Sequence, residues 1–191
     1  MSSYATLDEL KAHLNIDLTD TSFDTPLQLA LDAVTELIDD ACSRTFVAAA
    51  GPATARFYTA DSDAAVFIDD AVTISTVESP VGTTWDDALE YDAEPVNGPA
   101  LGRPYTELVS LGLAWSRIHN DVKVTATWGW PATPKRVKQA CLIQAARAFG
   151  RRDTRFGVAG SPDTGTELRL LAKLDPDVEQ MLSTLKRVVI E

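Results

Sequence analysis

Val122-Lys123-Val124-Thr125-Ala126-Thr127-Trp128-Gly129-Trp130-Pro131 and the residues after it decide the fold, because the apolar period changes at that junction. Up to Trp128, Val and Thr alternate as they do in a half-buried strand. Beyond Thr133-Pro134, with a hydroxyl cap and a first-turn proline, the spacing becomes helical. Val137, Ala140, Cys141, Leu142, Ile143, Ala145, Ala146, Ala148 and Phe149 make that helix apolar nearly all round as far as about Arg151. Such a helix lies in a core or packs on a neighbouring chain as well. Its first-turn bases, Lys135, Arg136 and Lys138, work against the helix dipole and are therefore expected at partner contacts.

Working back from this junction, the middle of the chain reads as short strands. They are Ala55–Tyr58, Ala65–Ile68, Val72–Val77, Leu89–Tyr91 and Leu113–Ile118, separated by turn residues that include Asp69-Asp70, Pro80 and Gly102. His119-Asn120-Asp121 is expected to close a hairpin between Leu113–Ile118 and Val122–Trp128. At the N-terminus, Thr6-Leu7-Asp8-Glu9 spells a capping box, with a short helix through Leu7, Leu10 and Leu14. Thr25-Pro26 marks the start of a longer helix with Leu27, Leu31, Val34, Ile38 and Cys42 on one stripe. At the other end, residues 156–165 read as a flexible Gly-rich segment. Asp175-Pro176 then begins a terminal helix with Val178, Met181, Leu182, Leu185 and Val188 on one side.

The expected fold is a single-domain α+β protein, a helical base formed by both chain ends with a β-rich antiparallel insertion. Its segments are 1–46 as the N-terminal helices, 47–131 as the insertion, 132–153 as the central helix, and 154–191 as a flexible stretch with a C-terminal docking helix.

The chain has 191 residues, 28 acidic and 17 basic, for a net charge of -11. Residues 1–60 hold nine acids and three bases, residues 61–131 twelve and three, and residues 132–191 seven and eleven. This asymmetry either gives a dipolar field that orients the chain against a partner or against copies of itself, or reflects solvated faces of different composition. It does not suit clamping of DNA, which needs clustered bases on one face. No apolar run reaches the roughly 18 residues of a membrane span, and the start Met1-Ser2-Ser3-Tyr4-Ala5 lacks a signal-peptide pattern, so synthesis in a cytoplasm is expected. Two cysteines and two histidines exclude a disulfide framework and leave little for histidine-based or zinc chemistry. Cys42 and Cys141 fall on apolar helix faces as small hydrophobes, and His13 and His119 have no nucleophile to serve.

Two rival readings rest on side chains. Asp61, Asp63, Asp69, Asp70, Asp86 and Asp87 supply oxygen ligands that a divalent cation could use in a metal-dependent enzyme, although the calcium-loop spacing is missing. Trp85, Trp128 or Trp130 could stack on a sugar in a β-rich carbohydrate-binding module. No nucleophile motif is present, residues 157–165 lack the ending of a phosphate loop, and no cofactor is expected.

Tyr4-Ala5-Thr6-Leu7-Asp8-Glu9-Leu10-Lys11, the long helix ending Ala41-Cys42-Ser43-Arg44-Thr45-Phe46, and Val122–Pro131 leading through Pro134 and Val137-Lys138-Gln139-Ala140 to Arg151-Arg152 together resemble the head-tail connector (head-to-tail adaptor) proteins of long-tailed bacteriophages. The resemblance implies a non-enzymatic structural protein in the virion neck, assembled as a ring of twelve copies below the portal. Such a ring extends the channel for viral DNA and carries the next connector, a stopper or a tail protein. On that reading Lys135, Arg136 and Lys138 supply charge contacts, and Leu182, Leu185, Val188 and Ile190 supply apolar docking on portal or sibling.

Overall fold

Thr6 opens the first helix as its sequence requires. Its Oγ1 accepts from the Glu9 amide at 3.2 Å, and its own amide donates to Glu9 Oε2 at 2.9 Å. Helix α1, Leu7–His13, follows and ends before Asn15, whose left-handed φ of 56° suits an asparagine. A computed structural model describes residues 3–81, 84–86, 90–112, 114–151, 158–159, 168–169 and 174–187. The chain divides into two compact units where the sequence predicts one domain: residues 1–45 with 134–191, and residues 46–133. The insertion closes a core of its own, and that makes it a separate unit.

In the first unit, α2 spans Asp24–Cys42. The expected cap at Thr25 is corrected: the helix begins at Asp24, two residues before the expected Pro26, after Phe23 and without a side-chain cap. Asp24 in its first turn complements the dipole and is held by Lys11, so a hydroxyl cap has no task there. Pro26 still sits in the first turn, where a missing amide hydrogen costs no helical bond. The expected stripe is the buried one, with Leu27, Leu31, Val34, Ile38 and Cys42 joined by Thr35.

Helix α3, Lys135–Gly150, packs on α2 and α1. Thr133 does not cap it; Pro134 takes that position, and the Thr133 hydroxyl donates to the Phe46 carbonyl at 3.0 Å within the second unit. Later in the chain, α4 spans Pro176–Leu182. It is capped by Asp175, which accepts from the Asp177 amide at 3.0 Å, and is followed by one 3-10 turn over Ser183–Leu185.

The second unit is an antiparallel sheet. Its strands are β1 (Thr54–Tyr58), β2 (Ala65–Val81), β3 (Thr84–Asp86), β4 (Tyr91–Glu94), β5 (Tyr105–Ser110) and β6 (Val122–Trp128). Their order is β1-β6-β2-β5-β4, with β3 paired to the end of β2. Val66, Ile68, Val77, Leu108, Trp115, Val122, Val124 and Ala126 form its core.

Four expectations fail here, the first being Pro80, which is no turn between strands but lies within β2 opposite Trp85 of β3. Asp69-Asp70 is no turn: it lies inside the 17-residue β2, where register shifts absorb the irregularity. No strand forms over 114–118, and Leu113 lies outside the described residues. Trp115 instead plugs the core from a loop, its amide donating to the Asp63 carbonyl at 2.9 Å and its indole to Ala64 at 3.2 Å. The partners of β6 are therefore β1 and β2, not a preceding hairpin arm. The unexpected β5 carries Thr106 and Glu107 beside Leu108, which blurs its alternation.

Gly129 closes the sheet with φ 129°, and a Cβ there would stand 2.8 Å from the Val47 carbonyl oxygen. That close approach lets Trp130 bond residues 47 and 49 through backbone contacts of 3.0 and 2.8 Å. Elsewhere, a two-residue antiparallel pair joins β7 (Val158–Ala159) to β8 (Leu168–Arg169).

Candidate docking surfaces

The three bases expected to meet a partner have different surroundings. Lys138 Nζ donates to Glu9 Oε1 at 2.7 Å and so ties α3 to α1. That hydrogen bond, with the Thr6 amide second, holds the Glu9 carboxyl below its ordinary range. Arg136 is exposed and donates to Thr184 Oγ1 at 2.9 Å, fastening α3 to the turn after α4. Lys135 is exposed and has no partner among the described residues. Packing between helices thus explains two of the bases that the helix dipole could not.

The apolar docking residues need a correction. Leu182 is fully buried and Leu185 is 8% exposed, both in the chain's own helical core. The C-terminal helix is already docked on its own base. Arg147 meets Asp175 at 2.6 Å, the Asp175 amide donates to Gln144 Oε1 at 3.1 Å, and the Arg187 amide donates to the Cys42 carbonyl at 2.9 Å. The second of these contacts gives the side-chain oxygen of Gln144, buried on α3, its partner. Val188 and Ile190 lie outside the described residues.

The surface that the sequence reading missed is the outer side of α2. Leu29 is 69% exposed and Leu37 41%, with exposed Ala33 between them. Their i, i+4, i+8 spacing was visible in the sequence as a second apolar row opposite the buried stripe.

On the sheet unit, aromatic rings and charges form two local clusters. Arg56 pairs with Asp69 at 2.6 Å and lies 4.5 Å over the Trp128 ring, while the Tyr58 hydroxyl donates to Asp69 at 2.9 Å. Burial, more than the neighbouring Asp69, pushes the Tyr58 hydroxyl upward, so it stays protonated. Beside them Lys123 pairs with Glu78 at 2.8 Å and sits 5.8 Å from the Trp85 ring, which tilts against Phe57.

These contacts weigh against the carbohydrate reading. Trp130 is 4% exposed and donates to Asp70 at 2.8 Å, so it cannot stack on a sugar. The Trp128 face is occupied by Arg56, and its indole donates to the Thr54 carbonyl at 2.9 Å. Only Trp85 remains exposed.

The aspartates do not converge either. Asp61 accepts from the Phe67 amide at 2.9 Å, Asp69 and Asp70 have the partners given above, Asp86 is exposed on β3, and Asp87 is outside the described residues. Among the described residues, no three His, Cys, Asp or Glu side chains gather as metal ligands. His119 meets Thr59 Oγ1 at 3.4 Å, and His13 stands in the last turn of α1. Burial raises the thiols of Cys42 and Cys141 and makes both poor nucleophiles.

Residues 4–75 match the family described as phage gp6-like head-tail connector protein. No curated protein matches the chain. Among solved structures, a chain from the neck of an empty gene transfer agent particle, computed with six-fold symmetry, aligns at 16% identity and a TM-score of 0.56. One from the neck of the native particle, computed with twelve-fold symmetry, aligns at 17% and 0.52. One from the virion of the native particle aligns at 18% and 0.56. Each alignment covers 97% of this chain and 90% of the other. The resemblance read from the sequence is borne out: over residues 4–75 this chain is similar to the phage gp6-like head-tail connector proteins, and over 97% of its length it shares the fold of a chain in gene transfer agent particles.

Proposed function

We propose that this chain is a structural adaptor of a phage-type neck, working as a closed ring of twelve copies below the portal and catalysing no reaction. The ring continues the portal's channel, so that DNA passes through its lumen, and presents its far side to the next connector, a stopper or a tail protein. The observation that carries this reading is the connector match over residues 4–75 together with a fold shared along 97% of the chain with a neck component. The excess of acids, 28 against 17 bases, agrees with it, because a lumen that repels phosphates lets DNA slide without sticking.

Contact with the portal falls to Arg136 and to the apolar residues Val188 and Ile190 at the end of the chain. Leu182 and Leu185 support that contact by fixing α4 to the base. The test is to mix the full chain with purified portal and image the complexes. The reading expects a ring of this chain on the portal, and a portal left bare at high chain concentration would contradict it.

A further inference from the structure

We infer that the outer face of α2 is a docking site for a second copy of this chain, which meets it with the outer face of its α3. This rests on the ring reading above and names the surfaces that would close the ring.

The argument begins with what α2 leaves uncovered. Leu29, Ala33 and Leu37 follow one line of about 12 Å along the helix. Scattered exposed leucines need no explanation, whereas a row at helical spacing is a packing surface without its partner. Glu36 and Asp40 border that row; both are exposed, and neither has a partner among the described residues.

Charge selects what can sit there. Helix α2 carries Asp24, Asp32, Glu36, Asp39 and Asp40 and no Lys or Arg. A two-fold pairing of α2 with itself would set acid against acid. Helix α3 is the reverse, with Lys135, Arg136, Lys138 and Arg147 and no acid. Its side away from the core presents Lys135 and Gln139, both exposed, then Leu142, Ile143 and Ala146, all half-buried. An apolar row would meet an apolar row, and Lys135 would reach Glu36 or Asp40.

Geometry then sets the symmetry. Within one copy α2 and α3 pack on each other through their buried stripes, so their outer faces point away from each other. Each copy offers one face of each kind, and the contact is head-to-tail, which closes into a ring when the rotation allows.

The test joins the two faces by a disulfide in the full chain. Leu37→Cys and Ala146→Cys are placed in one polypeptide and oxidised mildly at high concentration; the native thiols are buried. The inference expects a ladder of multimers from the double variant, none from either single variant, and only dimers from a mixture of the two singles. Dimers from Leu37→Cys alone would mean two-fold pairing and would overturn it. So would a double variant that stays monomeric, or one that crosslinks in particles to a different protein.

Charge reversal gives a second readout. Glu36→Lys with Asp40→Lys should weaken self-association about tenfold, and adding Lys135→Glu should restore it. Circular dichroism confirms that each variant is folded. Wild-type rings without a ladder would refute this contact and leave the ring reading intact. Particle necks lacking the chain altogether would refute the ring reading itself.

Discussion

Lys11 is 2% exposed, and its ammonium lies against the Asp24 carboxylate, joining the last turn of α1 to the first turn of α2. Removing one partner from such a pair costs more than removing the pair, because the remaining charge stays buried. Asp24→Ala is therefore expected to destabilise the helical unit by about 3 kcal/mol, and Lys11→Met by clearly less. Urea unfolding followed by circular dichroism measures both, and equal losses would show that the pair is no clamp.

The connection at the sheet's end depends on Gly129. With φ 129° and a backbone oxygen 2.8 Å from the point a Cβ would occupy, Gly129→Ala should cost about 1–3 kcal/mol. It should also loosen Trp130, whose indole reports through its fluorescence. An unchanged melting temperature and emission would refute the close approach as a constraint.

Leu182→Ala separates core from docking. Because the side chain is fully buried, its truncation should lower the stability of the helical unit by about 2–5 kcal/mol. Val188→Ala should leave stability within about 0.5 kcal/mol while weakening capture by the portal. A Leu182→Ala chain with unchanged stability and lost portal capture would reverse the assignment.

Asp39 gives a pH dependence with a definite sign. Burial raises its carboxyl above the ordinary range, the Asp40 and Glu36 charges add to this, and the Tyr4 hydroxyl, donating to it, opposes the rise. A folded pKa above the unfolded one means that stability present below the unfolded value is lost as pH rises through the folded value. Asp39→Asn should therefore be slightly more stable than the native chain at pH 7, and the difference should vanish below about pH 4. A larger advantage in acid than at neutrality would contradict the burial argument.

Helices were more legible in the sequence than strands, and the reason is physical. The capping box at Thr6 and the stripe from Leu27 to Cys42 are local patterns, and both stand in the structure where the spacing puts them. Caps that depend on neighbours were misread: Thr25 yields to an Asp24 held by Lys11, and Thr133 turns toward Phe46. Strand limits were misread for the same cause. Asp69-Asp70 resembles a turn until Arg56, Tyr58 and Trp130 arrive from distant positions to pair with it. In the candidate site, charge and apolarity were readable, but partnership was not. Nothing near Lys138 in the sequence announces Glu9, and nothing near Leu182 shows that the base already covers it.

The central claim is that this chain is a structural ring in the neck. Its most direct test is electron microscopy of particles made with and without the chain. The account predicts a ring of this protein between portal and tail, and DNA-filled heads without tails when it is missing. Fully tailed particles with an unchanged neck in its absence would contradict the account.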